Sequence, residues 1–279
     1  NLSTQRGANV RTSVEAFLSA LPTVDRVYAG DREREGQQFR SFEQSAGGVV
    51  NRQASTGWTL SGSSHVALMV YQRTGKTSPD YRVPGTALIA RAWGEAKYTR
   101  KSFGFSALVE PSVRALGTAA YGFDGEHRPN RLTLKYQAEV RRHVYTGKVA
   151  RGGVSASYYG GAGLGRLTRY RSSFLSKPRI LGIPNGVDAF DAIGLASAYY
   201  GFNVFEIVKL AAYYDHAWAR NRDESSRFRQ FDGLDLDIGT AGPWGTYVQG
   251  SLNIGLRGNL NRYKSRWGGM VMFFKPIGR

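Results

Sequence analysis

The chain has 279 residues, no cysteine, 35 glycines, 13% aromatic residues and a formal net charge of +17. That length holds one large domain or two small ones. No stretch approaches eighteen uninterrupted apolar residues, which excludes a transmembrane helix. The opening "NLSTQRGANV" is polar, so the chain reads as a mature or trimmed product or as a cytosolic one, and the lack of cysteine fits either compartment. A positive balance this strong points to nucleic acid or an anionic surface. The charges, however, are threaded through apolar segments instead of gathering in tails.

In chain order, the predicted strands are 8–21, 38–50, 57–72, 85–98, 101–123, 131–146, 148–160, 189–200, 202–218, 231–241, 246–257 and 262–274. The pattern is plainest in "RLTLKYQAEVRRHV", where Leu132, Leu134, Tyr136, Ala138, Val140 and Val144 alternate with Thr133, Lys135, Gln137, Glu139, Arg141 and His143. "WTLSGSSHVALMV" puts Trp58, Leu60, Val66, Leu68 and Val70 on one parity, and "TALIARAWGEAKY" sets Leu88, Ala90 and Ala92 against Ile89, Arg91, Glu95 and Lys97. "TYVQGSLNIGLR" alternates Val248, Leu252, Ile254 and Leu256 with Gln249, Ser251, Asn253 and Arg257. The last segment, "RYKSRWGGMVMFF", sets Tyr263, Trp267, Val271 and Phe273 against Lys264, Arg266, Met270 and Met272. A period of two means strands with two chemically opposite faces. The segment 101–123 reads as one strand or as two broken at Pro111.

Strands of this length exceed the usual five or six residues and match the roughly 9–11 needed to cross a bilayer at a tilt. Tyr98, Tyr145, Trp218, Trp244 and Trp267 flank them, where an amphipathic ring at a membrane interface is half wet. Long connections such as "PTVDRVYAGDREREG" and "DGEHRPN" alternate with short ones such as "YTRKS" and "TGK", and the final "RGNLN" is intermediate. These features predict an all-β fold: a closed antiparallel transmembrane β-barrel of about twelve strands, with fourteen or sixteen as alternatives. Its outer loops are long and its periplasmic turns short. The whole chain, 1–279, forms that single domain, located in the bacterial outer membrane. A closed wall leaves no unpaired backbone edge in lipid.

The longest loop, 161–188, carries Arg166, Arg169, Arg171, Lys177 and Arg179 with no acid before Asp188. Asp215, Asp235 and Asp237 fall on inward parities, so the loop is expected to fold into the lumen with Arg179 pairing to this acidic patch; the competing expectation is a loop in solvent or against lipopolysaccharide phosphates. Inward positions Arg91, Lys97, Lys135, Arg141, Lys209, Arg257, Lys264 and Arg266 predict a basic lumen lining.

The C-terminal stretch, roughly 161–279, resembles the BamA-type superfamily of outer-membrane barrels, which includes the assembly insertases, their TamA relatives and the two-partner-secretion transporters. The resemblance rests on "RILGIP" in a long loop followed by five strands, on Asp215 and Trp218 in the second of them, on "GPWG" (242–245) as a turn and on "MVMFF" at the end. It implies that Gly268 and Gly269 form the flexible point of a gating terminal strand. The departures are Leu181 where the family's loop arginine stands, Ala217 in place of a glycine, twelve strands instead of sixteen, and no preceding periplasmic module. The chain is thus either a barrel fragment of a longer protein or a shortened relative.

The functional expectation is transport or insertion of macromolecules, or the membrane anchor of a transport assembly, in contact with outer-membrane lipid, lipopolysaccharide and other subunits. The alternative is a passive channel favouring anions. No enzyme, cofactor or metal site is expected. The four histidines His65, His127, His143 and His216 form no convincing pair with a serine, Ser64 and His65 being the nearest material. Nor do they sit at ligand spacing with one another. "GAGLG" (161–165) lacks the following helix of a phosphate cradle. Nucleic acid is not expected as a partner, since the rings alternate toward the presumed lipid face.

Overall fold

The computed structural model describes residues 2–5, 10–25, 28–29, 32–33, 36–54, 56–83, 85–100, 103–116, 130–146, 149–164, 169–172, 178–181, 183, 189–204, 208–222, 227–241, 246–257 and 267–274. Side chains are described from 36 onward, except at 106–131, 145–146, 257 and 274. The described residues contain strands and no helix. In particular, no helix is long and apolar enough to cross a membrane.

The strands begin with β1 (Leu2–Gln5), β2 (Val10–Asp25), β3 (Tyr28–Ala29), β4 (Arg32–Glu33), β5 (Phe39–Ala54) and β6 (Trp58–Arg73). Next come β7 (Ala87–Arg100), β8 (Phe103–Leu116), β9 (Asn130–Thr146), β10 (Ala150–Ala162), β11 (Tyr170–Arg171) and β12 (Ala189–Phe190). The last are β13 (Ala192–Val204), β14 (Val208–Arg220), β15 (Arg229–Ala241), β16 (Tyr247–Arg257) and β17 (Trp267–Phe274). Thirteen of them form one sheet in the order β1-β2-β5-β6-β7-β8-β9-β10-β13-β14-β15-β16-β17; β3 pairs with β4, and β11 with β12.

Sequential neighbours thus pair in chain order, as short turns between antiparallel strands dictate. Links 6–9, 55–57, 101–102, 147–149, 205–207 and 242–246 alternate with the longer 26–38, 74–86, 117–129, 163–191, 221–228 and 258–266.

One expectation needs correction. The sheet has thirteen strands, not twelve, because Leu2–Gln5 pairs with the start of β2. Four residues are too few for a period of two to show. Of the two alternatives for the fifth predicted strand, the structure has the unbroken one, running through Pro111 and described over Phe103–Leu116; 101–102 and 117–123 lie outside the described residues. The last strand is described over Trp267–Phe274; residues 258–266, which hold the expected final link and the start of the predicted strand, lie outside the described residues. Lys264 and Arg266 lie outside the described residues.

The chain divides into two compact units, the first made of 1–100, 105–138 and 159–169 and the second of 101–104, 139–158 and 170–279. Each shows the same inverted burial. In the first, Ser41, Ser45, Ser63 and Thr133 are buried, while Leu60, Val66, Leu88 and Leu132 stand exposed. In the second, Asp215, Asp235, Ser251 and Asn253 are buried, while Leu234, Leu236, Ile238 and Leu252 are exposed. The alternating residues therefore sort onto a covered polar face and an open apolar face, the reverse of an ordinary soluble sheet.

Long links are tied by polar contacts. Arg73, at the end of β6, donates to the carbonyls of Ser78, Pro79 and Tyr81 at 3.2, 2.8 and 2.8 Å. Thr77 donates to the Gln38 carbonyl at 2.6 Å, joining 74–86 to the segment entering β5.

Candidate functional site

The second unit carries its main cluster where link 163–191 meets β13–β16. Period two places Ile193, Ala217, Ala219 and Phe231 on the covered face near the long-link ends of their strands, and all four are buried. The link adds Ile180, Leu181, Ile183 and Phe190, also buried, so a small apolar core forms on an otherwise polar face. Phe190 and Phe231 meet edge to face with centroids 6.1 Å apart, and the Arg229 guanidinium lies 5.6 Å from the Phe190 ring.

The link holds its own shape. Ser172 Oγ accepts from the Ile180 amide at 2.9 Å and lies 3.1 Å from the Ile180 carbonyl, to which it donates. One buried hydroxyl thus satisfies both backbone groups of a residue outside any ladder. The β11–β12 pairing closes the link's base. At the other extreme Leu181 lies directly on Gly233 of β15. A Cβ at 233 would come within 3.0 Å of the Leu181 carbonyl carbon and 3.1 Å of its Cα. Only glycine permits this approach.

Arg179 projects from the link onto β15 and β16. Its guanidinium pairs with the Asp235 carboxylate and donates to Ser251 Oγ at 3.0 Å. Ser251 in turn donates to Asp235 at 2.8 Å. The three groups form a closed triangle in which the Asp235 side chain is fully buried and the Arg179 side chain is 26% exposed. A buried carboxylate requires such compensation. Asp237 is half-buried and sits across from Ser251. Asp215 is buried and sits across from Gly233, beneath the Leu181 contact. Of the three acids proposed for Arg179, Asp235 forms an ion pair with it.

Three of the basic residues on the polar face have carboxylate partners. Arg91 pairs with Glu43 at 3.2 Å, Lys97 with Glu95 at 2.8 Å and Arg141 with Glu139 at 2.8 Å. Lys135 is half-buried and Lys209 exposed. The Arg257 side chain lies outside the described ones. Gly268 and Gly269 sit in β17 across from Asn253 and Leu252, inside a regular ladder.

Ser64 and His65 are consecutive strand residues and point to opposite faces. His143 bonds to the Tyr199 hydroxyl, whose ring stacks on Tyr213 at 5.9 Å. Among the described residues no group of three or more histidines or carboxylates is placed to hold a metal ion.

Sequence reasoning missed a second cluster, on the apolar face. His216 of β14 bonds to Asp232, directly across on β15, and Tyr214 donates to the same carboxylate at 3.1 Å. Trp218 packs edge-on against His216 with centroids 4.2 Å apart. The available signal was Asp232 itself, a charge on the parity of Leu234 and Leu236.

No family model matches the sequence, and no curated protein matches it. Among solved structures, the chain is similar to CdiB from Acinetobacter baumannii, with a TM-score of 0.48 and 11% sequence identity across 92% of this chain. The match spans 65% of that protein's chain.

Proposed function

We propose that the thirteen-stranded sheet closes into a β-barrel in the bacterial outer membrane, with its apolar face against lipid and its polar face around an aqueous lumen. The inverted burial carries this reading. Six half-exposed side chains on neighbouring strands, Leu234, Leu236, Ile238, Leu252, Leu256 and Val271, have 38%, 54%, 49%, 43%, 47% and 64% of their surface open. Moving six such groups from water into hydrocarbon is worth on the order of 10 kcal/mol. That equals the whole net stability of an ordinary domain. A lipid surround removes this penalty, and a closed wall satisfies every backbone group within it.

In this reading the long links are external, and link 163–191 folds back onto the lumen wall, where Arg179, Asp235 and Ser251 pin it. The barrel then serves the transport or insertion of macromolecules, or anchors a transport assembly with partner subunits. Gly268 and Gly269 give its last strand the pliancy of a gate. A passive anion channel fits less well, because Arg91, Lys97 and Arg141 each have a glutamate partner.

The test has two parts. The folded chain is expected to migrate faster on a gel unheated than boiled; equal mobility, with solubility in buffer lacking detergent, overturns the membrane reading. In planar bilayers the intact chain is expected to be silent, and deletion of 161–188 to open a conductance. Steady anion-selective current from the intact chain would favour the channel instead.

A further inference from the structure

We infer that Phe190 and Asp191 couple link 163–191 to link 221–228, so that lifting the first from the wall also loosens the second. The inference deepens the reading in which 163–191 rests on the lumen wall, and that reading makes both links external. The coupling itself depends only on contacts within the second unit.

Asp191 is the last residue of link 163–191 and is buried. It holds the start of the other link through backbone and side chain together. Its amide donates to the Arg220 carbonyl at 2.9 Å. Its carboxylate accepts from Arg220 Nε at 3.1 Å and from the Arg222 amide at 2.7 Å. Arg222 lies just past the end of β14, so a side chain takes the place of a ladder partner for its N–H. The far end of 221–228 bears on the same two residues. The Arg220 guanidinium, anchored on Asp191, lies 4.9 Å from the Phe228 ring. The Arg229 guanidinium packs 5.6 Å from Phe190 and 5.8 Å from Phe231.

From this hub a continuous set of contacts leads back to the pin. Phe190 and Ala189 pair with Tyr170 and Arg171 across β12 and β11. The next residue, Ser172, bonds both backbone groups of Ile180. Ile180 stands between Arg179, paired with Asp235, and Leu181, lying on Gly233. Phe190, Ile180 and Leu181 are all buried. Packing of this kind shifts between discrete arrangements instead of yielding gradually. Coupling through a contiguous network is also reciprocal. Removing Arg179 therefore disturbs the Arg222 amide, and weakening the Asp191 carboxylate disturbs the Ile180 amide.

The test is amide hydrogen exchange on the full chain in detergent, read by mass spectrometry in peptides covering 178–183 and 221–228. Arg179→Ala is expected to speed exchange in both peptides, the second by about fivefold or more, the lower end of coupling between sites. Asp191→Asn, which keeps the side chain's size, and Asp191→Ala, which removes the acceptor, are expected to do the same in the reverse direction, reaching 178–183. Combining Arg179→Ala with Asp191→Ala should give less than the product of the single effects. The β13–β16 ladder should keep its protection throughout. Wild-type exchange in 221–228 when Arg179→Ala exposes 178–183 overturns the coupling. So does wild-type exchange in 178–183 in both Asp191 variants, or a rise spread equally over the ladder. If Arg179→Ala leaves 178–183 protected, the pinning of that link to the wall fails, and the Asp191 variants alone decide the coupling.

Discussion

Replacing Arg179 with alanine is expected to release link 163–191 from the face on which it rests. The substitution removes the guanidinium that pairs with Asp235 and bonds to Ser251 at 3.0 Å, and leaves a fully buried carboxylate without its cation. Breaking a buried ion pair by deleting one partner costs about 3–5 kcal/mol. Arg179 keeps 26% of its side chain in solvent, so part of its charge is already screened, and the lower end applies, about 3 kcal/mol. At about 1.4 kcal/mol per decade, that raises the opening equilibrium of the link about two orders of magnitude.

The chain has no cysteine, so a single cysteine at buried Ile183 reports opening without background labelling. With a water-soluble maleimide, the Ile183→Cys rate should rise about 100-fold when Arg179→Ala is added. Arg91→Ala breaks a comparable pair in the other unit, with Glu43, and should leave the rate unchanged. A change below about threefold, under 1 kcal/mol, would mean that the triangle does not hold the link. An equal rise in the Arg91 variant would mean that the response is global loosening.

Glycine substitutions separate close approach from mere flexibility. A Cβ at Gly153 would lie 2.5 Å from the Arg142 carbonyl and 2.9 Å from the Tyr199 hydroxyl, whereas one at Gly94 meets nothing within 4 Å. Gly153→Ala should therefore cost about 1–3 kcal/mol and lower the temperature at which the fast-migrating gel band disappears; Gly94→Ala should hold or raise it. Carrying Glu43→Gln, Glu95→Gln and Glu139→Gln together removes the carboxylate partners of Arg91, Lys97 and Arg141. In the chain lacking 161–188, anion selectivity should then increase; unaltered selectivity would show that these pairs do not line the conducting path. Fluorophores at Leu252→Cys and Asn253→Cys should respond oppositely, brominated lipid quenching the first and aqueous iodide the second. Equal quenching at both positions would abolish the two-faced wall.

Much of this organisation can be read from the residues in order. Alternation in Leu132–Val144 and in Leu234–Ile238 requires strands, because only a period of two separates those groups, and it also says which side of each strand is oily. Turn lengths then lead neighbours in sequence to pair as neighbours in space. Parity likewise identified the face carrying Asp215, Asp235 and Asp237. What it left open was which carboxylate Arg179 reaches, since all three share that face. The choice of Asp235 depends on Leu181 settling onto Gly233 and on Ser251 lying across the adjacent strand, contacts between residues distant along the chain. The Asp232–His216 pair was hidden for the same reason: alternation reports sidedness, while a bond between β14 and β15 depends on register. Local order sets what each strand shows to either side; the long-range pairing of strands and the packing of one link decide which of those groups meet.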